Sequence, residues 1–136
     1  MQLDLQLNNT MDDLHRAMQE TESFLEANEV SAKRSYAIRL AVEELLSNII
    51  KYAYDEAGAH DVWFSLQLQD PASLTLSDDG KPFNPLEDAP APVLEGDLED
   101  RPIGGLGLHM IQSMGMELAY ERLDGRNVLR VMFPPE

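Results

Sequence analysis

The fold turns on residues 62–78, which read Val62-Trp63-Phe64-Ser65-Leu66-Gln67-Leu68-Gln69-Asp70-Pro71-Ala72-Ser73-Leu74-Thr75-Leu76-Ser77-Asp78. Val62, Phe64, Leu66 and Leu68 alternate with Trp63, Ser65, Gln67 and Gln69, the period of two of a half-buried strand. Asp70-Pro71 is a turn signal. Leu74, Leu76 and Asp78 then share one face of a second strand, so the pair reads as a hairpin. Trp63 falls on the face opposite Phe64, and a single exposed aromatic needs no special account.

Toward the N-terminus, residues 3–7 (LDLQL) alternate as a further strand. Thr10 is placed to N-cap a helix, with Asp12 and Asp13 in its positive first turn. That helix is expected to run to about Asn28, with Met11, Leu14, Met18 and Leu25 mostly on one stripe. Ser31 restarts a second helix, which meets no Gly or Pro before Gly58 and is therefore expected to be long.

Toward the C-terminus, the stretch from 82 to 102 holds Pro82, Pro85, Pro90, Pro92 and Pro102. Between Leu86 and Asp100 it has six acids and no base. It reads as a long, poorly structured loop, either a functional lid or a solvated connection. Gly104-Gly105-Leu106-Gly107 opens a helical run through Met114. Glu117–Leu123 and Asn127–Phe133 are strand-like and joined by Asp124-Gly125, a hairpin turn pair. The order is β-α-α-β-β-loop-α-β-β with no internal repeat. Grouped helices and hairpins predict an α+β two-layer sandwich, a mixed, mostly antiparallel sheet with helices packed on one face.

The chain has 136 residues, 10 Lys+Arg against 25 Asp+Glu, a net charge of −15 and no Cys. That length predicts one domain over residues 1–136 with a single core. The absence of Cys excludes disulfides, thiolate metal sites and a Cys nucleophile. The charge argues against a broad grip on nucleic acid or anionic lipid. The start, MQLDLQLNNT, lacks the features of a signal peptide, and no run approaches the roughly 18 apolar residues of a membrane helix. A cytoplasmic location is the expectation. His15, His60 and His109 have no metal-ligand spacing, and the seven Met are expected mostly as core filler.

Three segments carry residues suited to chemistry. In the long helix, Ile38, Val42, Leu45, Ile49 and Ala53 form the apolar stripe. Glu44 and Asn48 lie together along one edge of it, whereas Glu43 faces water. A carboxylate and an amide oxygen on adjacent turns suit general-base work and a hard ion such as Mg²⁺; alone, the same pair reads as a solvated helix edge. In the second segment, Asp78 points inward at a strand end, where it requires hydrogen-bond donors. A nucleobase amine is a suitable donor, and Gly80 lets the backbone approach a flat ring; Asp-Gly is equally a common turn pair. In the third, glycines opening a helix expose N–H groups to an anion, or serve as a hinge. The segment is neither a Walker A sequence nor a convincing dinucleotide fingerprint.

Together these segments resemble the nucleotide site of the GHKL ATPase superfamily, the Bergerat fold. Glu44-Leu-Leu-Ser-Asn48-Ile-Ile-Lys-Tyr52-Ala-Tyr54, Asp78-Asp-Gly80-Lys-Pro-Phe83-Asn-Pro85, Gly104-Gly-Leu-Gly107-Leu-His-Met-Ile111 and Tyr120-Glu-Arg-Leu-Asp-Gly125-Arg-Asn127-Val-Leu look like the anti-sigma-factor serine/threonine kinase family. The resemblance spans roughly residues 5–133. Pro82 stands where many superfamily members have a second Gly. Ser113-Met-Gly115-Met stands where family members often carry an acidic residue.

The resemblance implies ATP or ADP with Mg²⁺ as cofactors. Asn48 would bind Mg²⁺, and Glu44 would take the proton of an attacking serine. Asp78 would accept from the adenine amine beside Gly80. Gly104, Gly105, Leu106, Gly107 and Leu108 would lie along the phosphates, with Arg101 assigned either to phosphate charge or to a structural role. Residues 86–103 would form the lid, whose acidity would slow ATP entry or favour a basic partner. The implied partners are a STAS-type anti-anti-sigma protein as substrate, a sigma factor and a second copy in a homodimer. The alternatives are a catalytically silent nucleotide-binding module that sequesters a partner and, ranked lower, histidine-kinase-like catalysis on a separate protein.

Overall fold

The structure is a computed structural model that describes residues 1–54, 60–88 and 105–135. In chain order the elements are β1 (Gln2–Asn8), α1 (Met11–Ala27), α2 (Ala32–Tyr52), β2 (Asp61–Gln67), β3 (Ser73–Asp78), α3 (Pro85–Asp88), α4 (Gly105–Ser113), β4 (Glu117–Leu123) and β5 (Arg126–Met132). The strands form one sheet in the order β1-β2-β3-β5-β4. All four pairings are antiparallel, so the mixed character expected of the sheet is absent among the described residues.

Register follows the alternation. Leu5 faces Phe64, Phe64 faces Leu76 and Leu76 faces Leu129 across four adjacent strands. This row, with Leu66, Leu74 and Val131, is the floor of the core. α1 and α2 lie on it through Leu14, Ala17, Leu25, Ile38, Val42, Leu45 and Ile49. The opposite sheet face is polar, with Gln6, Ser65, Thr75 and Arg130 in successive strands, and Arg126 stacks 4.0 Å over the outward Trp63.

Both helix starts form as the caps predict. Thr10 accepts from the Asp13 N–H, and Ser31 accepts from that of Arg34. In the β4–β5 hairpin, Asp124 and Gly125 both adopt positive φ, 52° and 78°, which suits the two-residue turn to the twist of the strands.

Further expectations are corrected. α2 ends at Tyr52 rather than approaching Gly58, because the Ala53 carbonyl accepts from the Lys81 N–H at 2.9 Å and ties the chain to the loop after β3. The proline-rich stretch is not wholly loop: α3 starts after Asn84, whose side chain accepts from the Leu86 N–H at 3.0 Å. α4 stops at Ser113. The methionines divide, Met116 being buried while Met1, Met11 and Met110 are exposed. Met11 therefore leaves the α1 stripe, which Ala17 and Thr21 complete.

The one-sided core predicts unequal responses to alanine on a single strand. Leu66→Ala should cost about 2–5 kcal/mol in denaturant unfolding, and Ser65→Ala on the outer face within about 0.5 kcal/mol.

Candidate functional site

The middle of α2 is buried over an unusually polar run: Glu44 is 9% exposed, Ser47 8% and Asn48 2%. Glu43 is exposed, as helical spacing predicts. Helix geometry puts Glu44 and Asn48 one turn apart on the edge of the apolar stripe. Glu44 Oε1 and Asn48 Nδ2 are both buried and have no hydrogen-bond partner among the described residues. Each such group costs about 1–3 kcal/mol unless a ligand satisfies it. Burial pushes the Glu44 carboxyl above its ordinary range, and the nearby Lys51 charge pulls the other way. The Asn48 amide also lowers it by proximity, although its Nδ2 makes no hydrogen bond of regular geometry.

Asp78 ends β3 on the inner face and is 1% exposed. Its Oδ1 accepts from the Gly80 N–H at 2.9 Å and from Asn127 Nδ2 at 2.9 Å, leaving Oδ2 as the acceptor for a ligand's donor. Burial raises the Asp78 pKa against the opposing effect of these donors. Asn127 lies directly across from Asp78 on β5. It also donates to the Lys81 carbonyl at 2.7 Å, and its Oδ1 accepts from the Phe83 N–H at 3.1 Å, from the Tyr120 hydroxyl and from Arg122 Nη1 at 3.2 Å. Arg122 reaches on to the Gly80 carbonyl at 2.7 Å. The turn from Asp78 to Phe83 is thus held by one amide and one guanidinium.

Outward from this turn, Asp79 accepts from the Tyr54 hydroxyl at 3.0 Å and lies 3.7 Å from His60 Nδ1, with the Tyr54 and His60 rings stacked. Burial and the two aspartates raise the Tyr54 pKa.

Two glycines make close approaches, Gly80 to backbone that leaves no room for a Cβ and Gly107 to a side chain that a Cβ would displace. A Cβ on Gly80 would stand 2.4 Å from the Ala53 carbonyl oxygen. One on Gly107 would stand 2.2 Å from Glu44 Oε2. The first turn of α4 therefore lies against the Glu44 carboxylate, and the Leu108 backbone lowers the pKa of that carboxylate by hydrogen bonding. Tyr52 stacks on Phe83 with centroids 5.5 Å apart. The cleft bounded by Asn48, Asp78, Phe83, Pro85 and Asn127 measures about 10 Å³, room for about one water. A ring-sized ligand needs more room than this.

The structure thus puts Asn48 and Asp78 on one cleft, with Gly80 beside Asp78 and Gly107 against Glu44, one helical turn from Asn48. Gly105 and Leu106 form the start of α4. Gly104, Arg101 and most of the expected lid lie outside the described residues. Sequence reasoning missed Lys51, Tyr120, Arg122 and the role of Asn127. The signal for Asn127 was available: it is the one polar residue alternating inward with Leu129 and Val131.

The donor set fits a nucleotide. It offers an inward carboxylate to an amine, two unpartnered polar atoms to a hydrated phosphate, and a glycine-opened helix to an anion. Among the described residues no group of three His, Cys, Asp or Glu could hold a metal. Mg²⁺ takes few protein ligands and keeps water and phosphate oxygens; Asn48 Oδ1 is the side-chain oxygen that would hold it.

Because burial raises the Asp78 pKa, ionised Asp78 opposes folding. Its neutral form favours the native state below the unfolded-state pKa, near the ordinary value of 3.8, and this advantage is lost as pH rises through the native value. Asp78→Asn keeps an acceptor oxygen for Gly80 and Asn127. It should melt roughly 3 °C higher than the wild type at pH 8, with the difference vanishing near pH 3.

A family model described as a histidine kinase-like ATPase domain matches residues 7–133. Serine/threonine-protein kinase BtrW from Bordetella bronchiseptica is 31% identical over 100 residues, covering 73% of this chain and 70% of that protein. Among solved structures, the histidine kinase domain from the Erythrobacter litoralis EL346 blue-light activated histidine kinase matches with a TM-score of 0.55 at 19% identity, over 89% of this chain. The chain spans 60% of that structure, and the likeness there is one of fold. No helix among the described residues is long and apolar enough to cross a membrane. A match over nearly the whole length, on the motifs that resemble the GHKL superfamily and its serine/threonine kinase branch, leads to one conclusion: this chain belongs to the histidine kinase-like ATPase domain family.

Proposed function

We propose that the protein is an ATP- and Mg²⁺-dependent protein-serine kinase that acts as an anti-sigma regulator. In this reading it phosphorylates a STAS-type antagonist and, when the antagonist is absent or phosphorylated, holds a sigma factor. The observation that carries it is the buried pair on α2, where Glu44 Oε1 and Asn48 Nδ2 have no hydrogen-bond partner among the described residues and Asn48 lines the cleft. The BtrW kinase likeness supports the choice of a protein hydroxyl as acceptor.

Phosphoryl transfer is mostly positioning and charge stabilisation. Asp78 and Asn127 would fix the adenine end, and the first turn of α4 would line the phosphates. Mg²⁺ held at Asn48 would neutralise phosphate charge that an acidic chain otherwise repels. Glu44 would take the serine proton as the serine oxygen bonds to the γ-phosphorus and the bond to the bridging oxygen breaks, releasing ADP. Burial raises its pKa, which makes the ionised carboxylate a stronger proton acceptor. Phosphorylation adds about −1.5 to −2 charge to the antagonist, which weakens its hold on a partner of net charge −15. A homodimer would use α1 or the sheet face that no described element covers.

One contact favours the second reading, a silent nucleotide-binding module: Gly107 packs on Glu44 and covers the base. Transfer of γ-phosphate to a serine of a purified STAS-type protein separates the two. Glu44→Gln should lower transfer by about 10²-fold or more while retaining nucleotide binding. In the wild type, the acid limb of the pH profile should lie above 4.5, because burial raises the Glu44 pKa from that value. Undiminished transfer in the variant would remove Glu44 as the base, and nucleotide binding without any transfer would favour the silent module.

A further inference from the structure

At the end of α2 remote from Tyr52, a second concavity of about 540 Å³ opens between the start of that helix, the end of α4 and the segment after β5. This is within the range of small-molecule pockets, about 300–1,000 Å³. Ala37, Met114, Phe133 and Pro134 supply an apolar wall, and Lys33 and Arg34 supply charge. The Arg34 side chain is only 9% exposed; it donates to the Pro134 carbonyl at 2.9 Å and pairs with Asp70 at 3.3 Å. Arg34 thus fixes the wall. Lys33 is exposed and makes no hydrogen bond or ion pair with any described residue.

Charge selects the occupant. Asp70 offsets the Arg34 charge, which leaves Lys33, one of only ten Lys and Arg in a chain of net charge −15, as the groove's uncompensated cation, and the positive end of the α2 dipole adds to it. An anion is attracted locally and repelled by the molecule as a whole. A long acidic segment would run on from the groove over that repelling surface, whereas a small ligand with one charge would not. The apolar wall asks for a hydrocarbon body.

We propose that this groove is a binding site for a medium-chain monocarboxylate, its tail against Ala37, Met114, Phe133 and Pro134 and its head at Lys33, with Arg34 holding the wall beside it. The site is separate from the nucleotide cleft and stands or falls independently of it.

The test is amide chemical-shift titration of the full-length protein with octanoate, octan-1-ol and acetate. Octanoate should shift Ala37, Met114 and Phe133 saturably, octan-1-ol should bind at least about fivefold more weakly, and acetate should leave them unmoved. Lys33→Glu, a surface change that leaves the remaining resonances in place, should weaken octanoate at least about fivefold. Equal binding of acid and alcohol, an unaffected variant, or no saturable shift at millimolar octanoate would overturn the proposal. So would shifts at these residues that follow protein concentration without ligand, which would make a second copy the occupant.

Discussion

The Asn127 side chain is the contact on which the candidate site depends. A carboxylate at the inner end of β3 is expensive to bury, and Asp78 is tolerated there because Asn127 and the Gly80 N–H both donate to its Oδ1. The same amide engages the Lys81 carbonyl and the Phe83 N–H, so the turn that would face a base is shaped by the residue that orients the carboxylate. Arg122 ties the turn from the far side through the Gly80 carbonyl. Removing the Asn127 amide would take a donor from both Asp78 and the Lys81 carbonyl at once, which is why buried polar networks behave as units.

The rest of the fold gives that network a rigid setting. Antiparallel pairing of β3 with β5 puts Asp78 opposite Asn127. α2 crosses the inner face with leucines and isoleucine on the sheet side and Glu44, Ser47 and Asn48 buried among them. A helix carrying so many buried polar groups gives up stability, and the unpartnered Glu44 Oε1 and Asn48 Nδ2 are where that loss is left uncompensated. Sites held ready for a polar ligand carry this kind of cost. The contact of Gly107 on Glu44 means that α4 and the candidate base share space, so a phosphate entering there changes the surroundings of the carboxylate directly.

Much of this was legible in the sequence wherever the signal was local. Alternation in β2 and β3 put Asp78 on the core face, the 3.6-residue period separated Glu44 from Glu43, and Thr10 and Ser31 marked the helix starts. What escaped was set by contacts distant in the chain. Asn127 meets Asp78 across 49 residues, and no local pattern gives the register of β3 on β5. α2 stops at Tyr52 without a Gly or Pro because the Lys81 N–H captures the Ala53 carbonyl, and α3 forms inside a proline-rich stretch because Asn84 caps it. The motifs named the candidate residues, and tertiary pairing gave their geometry.

The central claim is that one cleft, anchored by Asp78, binds an adenine nucleotide. Calorimetric titration with ADP and Mg²⁺, wild type beside Asp78→Asn, tests it most directly. The account predicts saturable binding by the wild type and a loss of roughly 10²-fold or more in the variant, the cost of replacing a charged acceptor at a buried recognition point. Equal affinity in the two proteins, or no binding by the wild type at millimolar ADP, would contradict it.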